Sequence, residues 1–130
     1  MILLDTDTCV SMLRGNKAAL ARKVEAGDMA RISAMTAAEL YYGAEKSSKP
    51  EINRAKARDF IFTIPVIEIN LSIAFKFGQL KAALAKSGTT LPDADILVAA
   101  TALVHGTLLV TGNTRHFSRF PDLAIANWLV

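Results

Sequence analysis

Short apolar runs alternate with longer amphipathic stretches along most of this chain. The first run, at residues 2–4, has the length of a buried strand, whereas residues 72–86 repeat apolar positions at helical spacing. Such alternation is typical of parallel strands joined by helical crossovers. It predicts strands at 2–4, 31–35, 65–69, 108–110 and 124–126. It predicts helices at 7–13, 18–26, 36–46, 72–86 and 93–104, another that begins at Pro50, and a polar loop at 111–117.

The length and composition are those of one α/β domain. A chain of 130 residues, 52% of them hydrophobic, can bury one core but is too short for two. We therefore predict a single domain over residues 1–130, with a mostly parallel sheet of four or five strands flanked by helices.

The charge balance is basic, with 15 Lys and Arg against 12 Asp and Glu, and it fits a polyanionic partner. Cys9 is the only cysteine, which excludes a disulfide framework and favours a buried apolar role in a reducing compartment. The first residues lack both the basic flank of a signal peptide and the length of a membrane helix. We therefore expect a cytoplasmic protein with no membrane partner.

Four acidic residues stand either where a predicted strand gives way to a helix or in the first turn of a predicted helix, namely Asp5, Glu39, Asp93 and Asp95. In a parallel sheet these junctions gather at the carboxyl ends of the strands, where ligands usually bind. Carboxylates that meet there without a Cys or His cluster suggest a hard cation such as Mg²⁺ or Mn²⁺. An acid-only site suits phosphodiester chemistry, because Mg²⁺ is typically held by one or two carboxylates together with substrate phosphate oxygens.

Each acid also has a purely structural explanation. Thr36 and Glu39 match a capping box, in which hydroxyl and carboxylate satisfy free N–H groups at a helix start. Asp93 and Asp95 are placed to stabilise a helix dipole, by about 0.3–1 kcal/mol each. Asp5 is placed to cap the helix that follows it. These explanations leave open why all the acids are expected on one side of the sheet.

Other kinds of site are disfavoured. His105 and His116 are isolated and do not form a transition-metal motif, and the glycines match neither a dinucleotide fingerprint nor a P-loop. A basic stretch at 46–58 is more typical of a solvated helix face than of an RNA-binding surface; it contains Lys46, Lys49, Arg54, Lys56 and Arg58.

Four segments together resemble the PIN-domain ribonucleases, in particular the VapC toxins of bacterial toxin–antitoxin pairs. The opening LLDTDT resembles the family's LLDTN, and SAMTAAELYYGAEKS resembles S-x-x-T-x-x-E-L-x-x-G. GTTLPDADILVAATAL resembles G-x-x-x-x-x-x-D-x-x-I-A-A, with Val98 in place of Ile. LLVTGNTRHFSRFPDLAIANW resembles the ending V-T-x-N-x-x-x-F-x-x-x-x-x-L-x-x-x-x-W. Order and spacing match the family over almost the whole chain.

The resemblance implies that Asp5, Glu39 and Asp95 are the catalytic, metal-binding acids. It implies that Asn113 belongs to the catalytic site, where it holds a metal water or a substrate phosphate, and that the Thr111 hydroxyl assists there.

Two further acids, Asp7 and Asp93, are not expected to bind the metal ion directly. Asp7 stands where relatives more often carry Asn, so its added carboxylate either strengthens cation binding without touching the ion or points to solvent. Asp93 is two residues from Asp95, and positions i and i+2 lie on different faces of a helix. We expect Asp95, and not Asp93, to be the ligand.

The resemblance further implies a PIN-like three-layer sandwich and an endoribonuclease that depends on Mg²⁺, with Mn²⁺ as a substitute. Water would hydrolyse a structured RNA, commonly a tRNA, leaving a 5′-phosphate and a 3′-hydroxyl and so inhibiting translation. A cognate antitoxin and a homodimer are the implied partners, and the apolar segments 40–42 and 60–62 are candidates for either contact or for the core.

Two alternatives stay open. A phosphoacceptor receiver needs an acceptor Asp at the end of a central strand and a Lys after a later one. Here the third strand carries Glu68 and then Asn70, and the segment after the fourth strand offers only Arg115. The second alternative is a PIN fold that binds RNA without cutting it.

Overall fold

The computed structural model describes residues 1–129, and Val130, the last residue of the predicted domain, lies outside them. Within the described residues five strands form one sheet: β1 (Ile2–Leu4), β2 (Ala30–Ser33), β3 (Val66–Ile67), β4 (Leu108–Val110) and β5 (Ile125–Ala126). Their order in space is β3-β2-β1-β4-β5, and every neighbouring pair is parallel. The predicted α/β class is confirmed.

Seven helices are found over the same residues: α1 (Thr6–Leu13), α2 (Lys17–Ala26), α3 (Ala34–Glu45), α4 (Pro50–Phe62), α5 (Leu71–Lys86), α6 (Asp93–His105) and α7 (Thr114–Phe117). Pro50 occupies the first turn of α4, where its fixed φ and missing N–H cost nothing. No helix within residues 1–129 is long and apolar enough to cross a membrane.

The helices cover both faces of the sheet, because successive side chains of a strand point to opposite faces. On one face Leu4 packs in a fully apolar cluster with residues of α1, α3 and α4. On the other face Leu3 packs in a cluster with Leu109, residues of α6, and Phe117. The predicted three-layer sandwich is therefore confirmed. Cys9 is buried in the first cluster, in keeping with its apolar interpretation.

Two local predictions are wrong. β2 ends at Ser33 because that residue caps α3: its Oγ accepts a hydrogen bond from Thr36 N at 3.0 Å. Thr36 therefore lies inside the helix, and the capping box predicted for Thr36 and Glu39 is not formed. Residues 114–117, predicted as polar loop, form the short helix α7, which begins after Asn113.

The direction of the strand order reverses at β1. The chain passes from β1 to β2 on one side, while β4 lies on the other side of β1. In open α/β sheets ligands bind at the carboxyl ends of the strands beside such a reversal. The residues that follow β1 and β4 are Asp5 and Thr111, so the fold brings the first candidate acid to this position.

Candidate active site

Asp5 is fixed by the ends of two neighbouring strands. Leu4 pairs with Val110 in the sheet, so the residues that follow each strand are neighbours. Asp5 Oδ1 accepts a hydrogen bond from Thr6 N at 2.8 Å, and Asp5 Oδ2 accepts one from Thr111 Oγ1 at 2.8 Å. The first contact caps α1, as predicted. Asp5 thus has a structural role and a position at the ligand-binding edge at the same time.

The electrostatic surroundings of Asp5 disfavour its charged form. The pKa of this carboxyl is raised from 3.8 to about 6. Burial is the largest cause and the charges of Asp7 and Asp95 add to it, whereas hydrogen bonds from Thr111 and Thr6 act in the opposite direction. Asp5 is only 6% exposed, so bulk water does little to stabilise the negative charge. A cation beside this carboxylate would remove the penalty.

Glu39 reaches the site from the second turn of α3. Its Oε1 accepts a hydrogen bond from Thr6 Oγ1 at 2.6 Å, and the same hydroxyl lies 3.2 Å from Thr36 Oγ1. Because Ser33 caps α3, the Glu39 carboxylate does not cap the helix, and the structural explanation for an acid at this position no longer applies. Thr6, the residue next to Asp5, thus links Glu39 to the end of β1.

The two acids of α6 are separated by the fold. Asp95 Oδ2 lies 2.7 Å from His116 Nδ1, and the Asp95 side chain is 19% exposed. Asp93 Oδ1 instead accepts a hydrogen bond from Lys81 Nζ at 2.9 Å on the surface, where its side chain is 61% exposed. Both sit in the first turn of the helix, as predicted, but they face different surroundings.

The loop after β4 supplies the remaining side chains. Thr111 Oγ1 accepts a hydrogen bond from Asn113 N at 2.9 Å while it donates to Asp5. Asp7 Oδ2 accepts a hydrogen bond from Gly112 N at 2.9 Å, so Asp7 holds the loop against α1. A Cβ at Gly112 would lie 2.8 Å from that oxygen, and therefore only glycine fits this close approach.

The four residues predicted to be catalytic, Asp5, Glu39, Asp95 and Asn113, line one cavity of about 800 Å³. Asp7 also lines it, together with Thr6, Val10 and Arg14. As the side chains lie here, no three His, Cys, Asp or Glu residues between 1 and 129 are close enough together to hold a metal ion. The oxygen-only donors nevertheless fit Mg²⁺, because this ion keeps several waters and takes one or two carboxylates.

Two residues of the site were missed by sequence reasoning. Thr6 connects Glu39 to the Asp5 region, and His116 contacts Asp95. No spacing in the sequence relates residue 116 to residue 95, since the contact is made between two separate helices. The other histidine, His105, is exposed at the end of α6.

A second groove of about 650 Å³ continues from the acidic cavity along α3 and α4. The two share Thr6, Val10, Arg14 and Glu39 in their linings. Lys46 and Lys56 of the basic stretch line this groove. Arg54 instead pairs with Glu45, at 2.5 Å, and Arg58 contacts Asp59, so part of the stretch is a solvated helix face as predicted.

Comparison with known proteins identifies the class. The PIN domain family model matches residues 2–123. Ribonuclease VapC2 of Haemophilus influenzae is 36% identical over 129 residues, covering 98% of this chain and 97% of the relative. The tRNA(fMet)-specific endonuclease VapC of Salmonella typhimurium is 35% identical over 127 residues, covering 97% and 96%. In the crystal structure of DNA-bound VapBC from Salmonella typhimurium, one chain matches with a TM-score of 0.93 and 35% identity, covering 98% and 97%.

The fold and the acidic cavity thus define a PIN domain. This chain belongs to the PIN-domain family, among its VapC ribonucleases.

Proposed function

We propose that this chain is the endoribonuclease toxin of a toxin–antitoxin pair, and that it hydrolyses phosphodiester bonds in structured RNA, with tRNA as the substrate. The observation that carries the proposal is the convergence of Asp5, Glu39, Asp95 and Asn113, from four separate segments, on one cavity. The similar VapC chains are ribonucleases, which supports RNA as the substrate, and the Salmonella typhimurium relative is a tRNA(fMet)-specific endonuclease.

The proposed cofactor is Mg²⁺, with Mn²⁺ as a substitute, held by Asp5, Glu39 and Asp95. Such an ion supplies positive charge next to the scissile phosphate. Around it, the chain's own residues have distinct tasks. Thr111 and Thr6 orient the Asp5 carboxylate, and Thr6 holds Glu39. Asn113 lines the cavity, and its amide is a group able to hydrogen-bond phosphate or water.

The path of the RNA is proposed to follow the groove that leaves the acidic cavity. Arg14 stands where the cavity and the groove join, and Lys46 and Lys56 line the groove further on. These cations offset the repulsion that the acids exert on phosphates.

The proposed partners are a cognate antitoxin and a second copy of the chain. The Salmonella relative was crystallised as VapBC, which supports a companion protein. A homodimer is supported by an apolar surface on α5. Leu71 and Phe75 lie one helical turn apart there and are 88% and 69% exposed. We propose a cytoplasmic location and a single PIN domain over residues 1–130.

Of the apolar segments named as contact candidates, only parts are available. Leu40 and Ile61 are buried in the core, whereas Tyr42 is 66% and Phe62 78% exposed.

The direct test is to incubate the purified chain with total RNA in Mn²⁺ or in EDTA and to map the cut ends. We expect the wild-type chain to cleave RNA in Mn²⁺ but not in EDTA, and to leave 5′-phosphates. We expect no cleavage by Asp5→Ala or Asp95→Ala variants that retain the wild-type circular dichroism spectrum. Undiminished cutting by these folded variants would reject the site assignment.

The same experiment decides between catalysis and an RNA-binding PIN fold, which predicts RNA retention without cleavage. The receiver alternative is not supported, because doubly wound receivers have the strand order 2-1-3-4-5, with β1 between β2 and β3. In this chain β1 lies between β2 and β4.

A further inference from the structure

His116 contacts the Asp95 carboxylate, and this contact was not predicted from the sequence. Its Nδ1 lies 2.7 Å from Asp95 Oδ2 and 2.9 Å from Asn113 Nδ2. The imidazole is partly buried, with 37% of its side chain exposed. His116 therefore stands between two of the residues proposed to form the active site.

The hydrogen bonds fix which ring nitrogen carries the proton. A carboxylate only accepts hydrogen bonds, so His116 Nδ1 must donate to Asp95. The structure places Asn113 Nδ2 against this Nδ1. Two donors cannot bond to each other, so a donating Nδ1 requires the Asn113 amide to be turned until its oxygen faces the ring and shares the same Nδ1–H. The Nδ1–H tautomer then satisfies both neighbours.

This contact completes a chain of hydrogen bonds across the cavity. The Thr111 hydroxyl donates to Asp5 Oδ2, and Asn113 N donates to Thr111 Oγ1. The Asn113 side chain meets His116, which in turn donates to Asp95. Two carboxylates that are 90 positions apart in sequence are linked in this way through three intermediate residues.

The backbone that carries His116 is itself anchored. Phe117, the next residue, is fully buried in the cluster beneath α6, and Phe120 is 3% exposed in the same cluster. The imidazole is thus held by packing of its neighbours rather than by its own burial.

We propose that His116 is a positioning residue for the cation site: by occupying Asp95 Oδ2 through Nδ1–H, it orients that carboxylate and leaves Oδ1 for the ion. This role rests on the proposed metal-dependent nuclease. Carboxylates that bind metals are generally hydrogen-bonded in their turn, and loss of such a partner typically costs about 10–100-fold in metal affinity.

The test is Mn²⁺ affinity, measured by titration with electron paramagnetic resonance of the free ion, on metal-free protein without RNA. We expect His116→Ala to bind Mn²⁺ about 10–100-fold more weakly than wild type. His116→Asn places an amide N–H near the position of Nδ1 and is expected to restore most of the affinity. His105→Ala, which alters the exposed histidine of α6, is the matched control and should bind like wild type.

The outcomes separate the inference from the function beneath it. Mn²⁺ binding by folded His116→Ala that equals or exceeds wild-type binding would overturn the positioning role. Unchanged affinity would mean that His116 only ties α7 to α6. Higher affinity would mean that His116 competes with the ion for Asp95. Absence of Mn²⁺ binding by the wild-type chain would instead reject the proposed metal-dependent function, and the inference with it.

A second readout needs no metal. The ring ¹⁵N chemical shifts of His116 in the metal-free chain should report the Nδ1–H tautomer, and this preference should be lost in Asp95→Ala. An Nε2–H tautomer in the wild type would overturn the proposed contact even if a His116 variant failed to fold.

Discussion

On one side of the cavity Asp5 follows β1, with both carboxylate oxygens held by Thr6 and Thr111; on the other side Asp95 begins α6 and is held through one oxygen by His116. We call these the strand side and the helix side. The strand side is set by the backbone register that pairs Leu4 with Val110.

The helix side depends instead on contacts between side chains of two separate helices. A parallel sheet therefore places one acid at the ligand-binding edge through its strand register alone, whereas the second acid requires specific side-chain partners. Asp93 shows that a position in the same helical turn is not sufficient, because it lies in the first turn of α6 with Asp95 but pairs with Lys81 on the surface.

The largest effect is expected from a matched pair of substitutions on the helix side. Asp95→Asn should lower the rate of RNA cleavage on the order of 100-fold or more, because a charge in the proposed site is removed. Asp93→Asn should lower it less than about fivefold, because exposed ion pairs such as that with Lys81 contribute about 0–1 kcal/mol. Initial rates on one RNA substrate measure both. Similar losses would erase the distinction between the two acids.

The strand side is tested by the stability of the metal-free protein. Because folding raises the pKa of Asp5 from 3.8 to about 6, the native state binds more protons than the unfolded state in this range. Stability should therefore fall as pH rises from about 4 to about 6, by up to about 3 kcal/mol.

Asp5→Asn removes this charge while its amide can still meet Thr6 N and the Thr111 hydroxyl. In EDTA we expect the variant to be more stable than wild type at pH 7 and to lose the pH dependence attributed to Asp5. Urea unfolding of both proteins at several pH values measures the difference in the free energy of unfolding. If that free energy varied with pH in the same way for both proteins, burial of the charged Asp5 carboxylate would not destabilise the fold.

A smaller effect is expected where the loop after β4 meets α1. Gly112→Ala would bring a Cβ within 2.8 Å of Asp7 Oδ2 and 2.9 Å of Leu129 Cδ1. We expect a loss of about 1–3 kcal/mol in the free energy of unfolding. Gly43→Ala is the control, because its added Cβ meets nothing within 4 Å and the position lies inside α3, where alanine is favoured. Equal stability of the two variants would argue against the close approach.

The smallest effect is expected at Asp7. Asp7→Asn keeps an oxygen that can accept from Gly112 N, so the strand side should hold its shape. The cost should not exceed about 1 kcal/mol, which corresponds to about fivefold in cleavage rate. A loss as large as that of Asp5→Ala would identify Asp7 as a direct participant.

Much of the fold was predictable because its signals are local. The strands at β1 and β4, the helices α2, α5 and α6, and the cap at Asp5 follow from apolar periodicity and from residues at helix ends. One of the two errors also has a local origin: Ser33 and Thr36 are both plausible caps, and only the observed Ser33 contact decides between them.

Residue type and spacing along the chain were enough to place acids at strand–helix junctions or in first helical turns, and to match Asp5, Glu39 and Asp95 to the motifs of one family. Folding, and not the sequence pattern, places β1 between β2 and β4, Thr6 against Glu39 and His116 against Asp95. These contacts join segments that lie from 21 positions apart, for Asp95 and His116, to 106 positions apart, for the pairing of β1 with β4. Strand order and helix packing bring such segments together, and no local preference encodes either.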